Sequence, residues 1–284
     1  MDVALQMGTL VRVGYDLDHC LKLAHELGVK YIELWIDRNH FWPENISNSD
    51  ISEILSKLDS YGVKAVSTCP IPFISRDWQT FEFEYNLASP TELLRSKAVK
   101  WYKSNITLAS ELEASVVVVV PGKVDEPNFM KSNNSYRQHW SSLIKSLKEC
   151  AKHAEDLGVV LGIENTVVSN FINLPGEMRL VVDEVASENV KAYLDIANAN
   201  VYLSPEIYID ELQGRLCDCI HATDNDGTYP NHLPISMGTI DYESVIKKLR
   251  KIGWNGYLLP EIFYDKDVLT HVKNTIDKLR QLIY

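Results

Sequence analysis

Residues 155–165 read EDLGVVLGIEN, and the fold follows from how that stretch is punctuated. An amphipathic helical pattern ends in Gly158, an apolar run starts at once, and the run ends in a carboxylate, Glu164. Gly158 stands where a helix C-cap needs the left-handed backbone that glycine adopts without penalty. The β-branched residues behind it favour a strand. The same order recurs as HELGVKYIELWI (25–36) and DSYGVKAVSTC (59–69), and more loosely as RKIGWNGYLLPEI (250–262). Short turns on one side and longer ones on the other are what a repeating βα unit predicts.

Working outward, the pattern predicts strands over 3–9, 31–36, 64–68, 116–120, 159–163, 190–194, 216–220 and 256–260. Helices are predicted over 16–27, 50–61, 89 to about 109, 136–157, 175–186, from 204, 241–252 and 267–283. In the first helix Leu17, Cys20, Leu21, Ala24 and Leu27 form one apolar stripe. The third opens at Ser89-Pro90-Thr91-Glu92, which reads as a capping box with Pro at the first helical position. Eight strands alternate with eight helices, and the strands are near-continuous apolar runs, the mark of a parallel sheet covered by helices. The expected fold is α/β: a closed (β/α)8 (TIM) barrel, one domain over residues 1–284. A doubly wound open sheet is the alternative, but no Gly-x-Gly-x-x-Gly follows the first strand.

Composition sets the bounds. The chain has 284 residues, 45% of them hydrophobic, enough for a sizeable core. A formal net charge of -11 argues against a nucleic-acid-binding surface. No apolar run approaches the roughly 20 residues that span a bilayer, so no membrane partner is expected. MDVALQMGTL lacks the features of a signal peptide. The five scattered cysteines read as reduced thiols, and the expected location is cytoplasmic.

Four successive strands end in a metal-type ligand: Glu164 in LGIEN, Asp195 in AYLDIAN, His221 in CIHATD and Glu261 in LLPEIF. In a barrel these ends are neighbours on the C-terminal rim, where active sites sit. Three carboxylates and one imidazole suit one divalent metal ion, Mn2+, Mg2+, Co2+ or Zn2+. Each residue singly has an ordinary account. Glu164 can cap a helix, Asp195 can be an Asx-turn residue, His221 can be a core histidine and Glu261 a rim charge. The coincidence of four carries the reading.

Other residues are weighed in the same way. His232, eleven residues beyond His221, is a fifth ligand, a substrate contact or a loop residue. Cys217 and Cys219 share a face with His221 at a period of two, but strand geometry puts them deeper as small core residues. Cys69 ends the third strand without a visible partner. Arg76 and Lys123 lie in loops on the working side, within reach of substrate oxygens if they are not solvated charges. Trp35, Phe41, Trp42, Phe73 and Trp78 can wall a pocket or pack the core. The loop over 69–88, with its five aromatics, is expected to fold over the rim and exclude water.

These residues resemble the xylose isomerase-like barrel superfamily, which groups sugar isomerases, epimerases and endonuclease IV, and among them the sugar epimerase branch. The resemblance covers essentially the whole chain. Its most specific parts are ELGVKYIEL (26–34), GIEN (162–165), LDIANA (194–199), and H-x-x-D-N-D-G (221–227) followed by H-L-P-x-x-x-G-T-I-D (232–241). It implies one divalent metal held by Glu164, Asp195, His221 and Glu261, with Glu164 and Glu261 also moving the proton. Ketohexose 3-epimerases of this type carry a His three residues after the Asp of the sixth strand and an Arg soon after the His of the seventh. Here those places hold Asn198 and Asp224-Asn225-Asp226. Endonuclease IV members have further zinc-ligand histidines where this chain reads Thr68-Cys69-Pro70 and Val120-Pro121-Gly122.

The implied function is a metal-dependent isomerase or epimerase of a small sugar, keto-sugar or inositol derivative, working through a stabilised enediolate. A dehydratase acting on a keto-inositol would use the same parts. Substrate contacts are expected from Asn198, His232, Trp35, Asp224 and Lys123. The expected partner is a small-molecule sugar or polyol, and self-association into a homo-oligomer is left open. Two alternatives stand beside this: an endonuclease IV-like phosphodiesterase and a non-catalytic sugar-binding barrel.

Overall fold

The computed structural model describes residues 1–74, 82–124 and 135–284. Among them the strands are β1 (Asp2–Val3), β2 (Leu5–Gln6), β3 (Tyr31–Ile36), β4 (Lys64–Pro70), β5 (Val116–Val119), β6 (Val160–Glu164), β7 (Val190–Asp195), β8 (Leu216–His221) and β9 (Tyr257–Leu259). Every pairing is parallel, in the order β1-β9-β8-β7-β6-β5-β4-β3-β2. β1 and β2 are the two halves of the first strand, divided at Ala4. Asp2 pairs with Tyr257 on one side, and Leu5 pairs with Ile32 on the other. The sheet therefore closes on itself through residues 2–6, and the molecule is a (β/α)8 barrel.

The helices among the described residues are α1 (Gly8–Val11), α2 (Leu17–Glu26), α3 (Asn48–Ser60), α4 (Glu92–Glu111), α5 (Tyr136–Leu157), α6 (Pro175–Val185), α7 (Ile196–Asn200), α8 (Pro205–Glu211), α9 (Tyr242–Lys251) and α10 (Val268–Ile283). Their apolar stripes face the barrel. In α2 the buried residues are Leu17, Cys20, Leu21 and Ala24. Gly158 ends α5 with a φ of 68°, the left-handed cap its place in the repeat predicts, and β6 starts two residues later. No helix among the described residues is long and apolar enough to cross a membrane.

Two local expectations are corrected. The first strand stops at Gln6 instead of reaching residue 9, because the Gln6 side chain accepts the Thr9 N–H at 2.8 Å and the chain turns into α1. Thr9 Oγ1 then donates to the Pro260 carbonyl and accepts the Ile262 N–H, tying α1 to the end of β9. The expected capping box at Ser89 is also absent. Helix α4 begins at Glu92, whose carboxylate is engaged by Arg95 and Lys145, and Ser89 Oγ accepts the Thr91 N–H instead.

Candidate active site

Glu164, Asp195 and His221 are the last residues of β6, β7 and β8, and Glu261 lies two residues beyond β9. Parallel register sets Asp195 beside His221, and His221 beside Leu259. The four side chains converge, each offering a ligand atom, with all these atoms within 4.8 Å of one another. His221 Nδ1 is the centre, 3.0 Å from Glu164 Oε1, 3.3 Å from Glu261 Oε2 and 3.6 Å from Asp195 Oδ2. All four are buried.

Each ligand atom is aimed by its surroundings. Asn165 clamps the end of β7: its Nδ2 donates to the Asp195 carbonyl and its Oδ1 accepts the Asp195 N–H. Asp195 Oδ1 caps α7 by accepting the Asn198 N–H at 2.7 Å. Its Oδ2 is buried without a hydrogen-bond partner among the described residues. A buried orphan carboxylate oxygen is costly unless something cationic completes it. Gln6 Nε2 donates to Glu261 Oε1 at 3.3 Å, and His221 Nε2 is 2.8 Å from Glu33 Oε1.

Electrostatics agree with this geometry. Burial lifts the Glu164 carboxyl above its ordinary range. Burial lifts Glu261 well above it, with Glu164, Asp195 and Glu33 pushing the same way. Burial alone would raise Asp195 and Glu33 too, but neighbouring imidazoles, those of His232 and His221 for Asp195 and that of His221 for Glu33, hold them low. Burial alone would lower His221, yet Glu261 and Glu33 hold it well above the usual histidine value. Four buried carboxylates thus surround one imidazole, an excess of negative charge that a divalent cation would balance. Carboxylate and imidazole donors fit Mg2+, Mn2+, Co2+ and Zn2+ alike.

The cluster borders, through Glu164 and Glu261, a cavity of about 360 Å³ whose walls include Trp35, Trp42, Phe73, Val167 and Phe263. Glu164 and Glu261 line it, as do Asn198, His232 and Trp35. His232 Nδ1 is 3.6 Å from Glu261 Oε2 and 3.8 Å from Asp195 Oδ2, and its ring packs on Phe263 at 4.6 Å. Asp224 and Lys123 are not among the lining residues. Both Asp224 oxygens are taken by the N–H groups of Asn225, Ser236 and Ile240, so it shapes the loop that delivers His232. The N–H and carbonyl of Lys123 are both bound by the Asn86 side chain. Cys69 lines the cavity, whereas Cys217 and Cys219 are buried outside the cluster, as small core residues would be.

The aromatic loop divides its labour. Phe73 and Phe83 pair as an antiparallel bridge with rings 4.7 Å apart, and Phe73 and Ile74 face the cavity. Tyr85 instead stacks on Trp101 at 4.3 Å, inside the core. Arg76, Trp78 and Phe81 lie outside the described residues.

The sequence pattern that describes a xylose isomerase-like TIM barrel matches residues 21–282. The chain belongs to that family. Among relatives of this xylose isomerase-like barrel, an uncharacterised protein of Methanocaldococcus jannaschii is 27% identical over 280 residues, covering 96% of this chain and 87% of its own. Fructoselysine 3-epimerase of Shigella flexneri is 22% identical over 94% of this chain and 93% of its own. Among solved structures, a D-tagatose 3-epimerase-like protein superposes with a TM-score of 0.78 at 24% identity, covering 100% of this chain and 98% of its own. D-Psicose 3-epimerase of Clostridium cellulolyticum H10 superposes at 0.81 and 18% identity, covering 100% and 99%. At these identities the likeness of the structures establishes a shared fold.

The sequence reading missed Glu33. Its signal was present: a lone carboxylate inside the otherwise apolar strand YIELWI. Gln6 and Arg12 also reach the site, from a segment whose sequence pattern shows only a strand and a loop.

Proposed function

We propose that this protein is a divalent-metal-dependent sugar epimerase or isomerase that moves a proton on the carbon beside a substrate carbonyl. One observation carries the reading: Glu164 and Glu261 both line the cavity and both belong to the buried cluster of metal-type ligands. A bound divalent ion would supply Lewis-acid stabilisation of the charge that builds on a carbonyl oxygen as the neighbouring C–H is broken. Glu164, Asp195, His221 and Glu261 would hold it.

The chain's own residues would do the rest. Glu164 would take the proton as general base, and Glu261 would return one as general acid. If the two serve opposite faces of one carbon, the outcome is epimerisation. Delivery to the adjacent carbon gives aldose–ketose isomerisation. Asn198 and His232, which line the cavity with Glu261, would position substrate hydroxyls. The aromatic walls would exclude water from the carbanionic intermediate. The names of the relatives support a sugar-type substrate: one is a fructoselysine 3-epimerase, and one similar structure is a D-psicose 3-epimerase with D-tagatose.

The test is deuterium uptake from heavy water into a panel of ketoses, aldoses and inososes with added Mn2+, for wild type and Glu164→Gln. Exchange by wild type, reduced about a hundredfold or more in the variant, is the expected result. Cleavage of abasic DNA without any deuterium uptake would overturn the assignment in favour of phosphodiester hydrolysis.

A further inference from the structure

We infer that Glu33 is the positioning residue of the metal site: it holds the His221 ring by Nε2, so that Nδ1 is the nitrogen turned to the three carboxylates and the one that would offer its lone pair to a bound metal. This rests on the metal-site reading above and deepens it.

Glu33 lies in the middle of β3, fully buried, 188 residues from His221 in sequence. Its Oε1 is 2.8 Å from His221 Nε2. Its Oε2 accepts two hydroxyl donors, Ser67 Oγ at 2.6 Å and Tyr193 OH at 2.9 Å. The Tyr193 ring also stands edge-on to the His221 imidazole, with centroids 4.7 Å apart. Strands β3, β4, β7 and β8 thus each contribute one residue to a closed brace in the barrel interior.

The arrangement dictates a tautomer. A carboxylate can only accept, so Glu33 Oε1 requires a proton on Nε2. With Nε2 kept protonated by Glu33, a His221 ring made neutral by metal binding would carry its lone pair on Nδ1, the atom nearest Glu164, Asp195 and Glu261. A carboxylate behind a ligating imidazole also raises the basicity of the ligand, and loss of such a partner typically costs about ten- to a hundredfold in metal affinity.

The two hydroxyls make the inference sharply testable. In Glu33→Gln the amide oxygen is drawn to the position where Ser67 and Tyr193 both donate, which turns the NH2 towards His221 Nε2. That NH2 can only donate, so Nε2 must become the acceptor and the proton must move to Nδ1. The metal-facing nitrogen would then be blocked by a change that alters almost no volume. Removing both hydroxyls frees the amide to reverse. In Glu33→Gln/Ser67→Ala/Tyr193→Phe the amide oxygen can face Nε2, and the original tautomer returns.

The experiment is calorimetric titration of metal-free protein with Zn2+ and with Mn2+, alongside thermal melts and nitrogen NMR of the zinc-loaded histidines. The expected result is a loss of about ten- to a hundredfold in Glu33→Gln, with its melting temperature close to wild type, and substantial recovery in the triple variant. The His221 nitrogen shifts of the zinc-loaded wild type should report Nε2–H. Affinity in Glu33→Gln within twofold of wild type overturns the inference. So does a loss that the triple variant deepens, since that marks charge or packing instead of proton placement. Should Glu33→Gln not fold, Glu33→Asp replaces it: the charge stays, the carboxylate withdraws by one methylene, and unchanged affinity again overturns the inference. A wild type that binds neither metal overturns the metal-site reading itself.

Discussion

The indole of Trp35 lies against the backbone of Gly8 so closely that a Cβ at position 8 would fall 2.2 Å from the ring. Trp35 cannot easily withdraw, since it is 8% exposed and its Nε1 donates to Asp37 at 3.2 Å. The start of α1 therefore backs the indole that Trp35 presents to the cavity. Gly8→Ala is expected to cost about 1–3 kcal/mol through overpacking. It should also push the indole towards the cavity and raise KM more than it lowers kcat. Denaturant melts and steady-state kinetics on whichever sugar proves active would check both. An unchanged denaturant midpoint would show that the indole yields freely.

Asp195 performs two tasks with two oxygens, and they can be separated. Oδ1 caps α7, while Oδ2 points into the cluster without a hydrogen bond among the described residues. Asp195→Asn can keep the cap and lose the charged ligand. The expected outcome is a fall in metal affinity of at least about tenfold, with little change in the melting temperature of the metal-free protein. Asp195→Ala should lose about 0.5–2 kcal/mol of stability in addition, the usual worth of a cap. Equal affinity in wild type and Asp195→Asn would remove Asp195 from the ligand set.

The loop after β8 is held from inside by Asp224. Three backbone N–H groups, those of Asn225, Ser236 and Ile240, donate to its carboxylate. Gly238 packs so near that a Cβ would lie 2.2 Å from Asp224 Oδ1. The same loop holds His232 at a φ of 44°, which only a well-determined surrounding maintains. Asp224→Ala should cost about 1–3 kcal/mol, because it strands the buried Asn225 N–H and two half-buried donors. Amide exchange across 222–241 should rise far more than elsewhere. Uniform exchange throughout the barrel would show that the loop does not depend on this residue.

The five cysteines are all free and buried. Burial pushes the Cys20 and Cys150 thiols from the ordinary 9.0 up to about 12. A raised thiol pKa means that folding favours the protonated form. The associated stability is complete below pH 9.0 and is lost as pH climbs towards about 12. The denaturation midpoint should therefore decline between these limits, and less steeply in Cys20→Ala/Cys150→Ala. Ellman's reagent at pH 8 should find almost no reactive thiol in the native protein and five after denaturation. A fast-reacting native thiol at that pH would contradict the burial.

The sequence by itself determined what short-range chemistry can encode. Gly158 had to end a helix because few other residues take its backbone conformation without strain, and α5 over Tyr136–Leu157 ends there. The alternation of apolar runs with amphipathic stripes required a parallel sheet wrapped by helices, and that is the barrel observed. Glu164, Asp195, His221 and Glu261 were visible because each ends an apolar run, and parallel strands in sequence order bring their ends together.

What tertiary structure alone decided concerns residues whose partners lie across the barrel. Glu33 and His221 are 188 residues apart and meet because closure through Ala4 turns the interiors of β3 and β8 towards each other. No local pattern distinguishes an inward carboxylate with a partner from one without. Asp224 looked like a substrate contact by its place after β8, yet its oxygens turn to the backbone of its own loop. Side-chain direction in a loop depends on which N–H groups folding leaves unpaired, and that balance is settled only when the chain has closed.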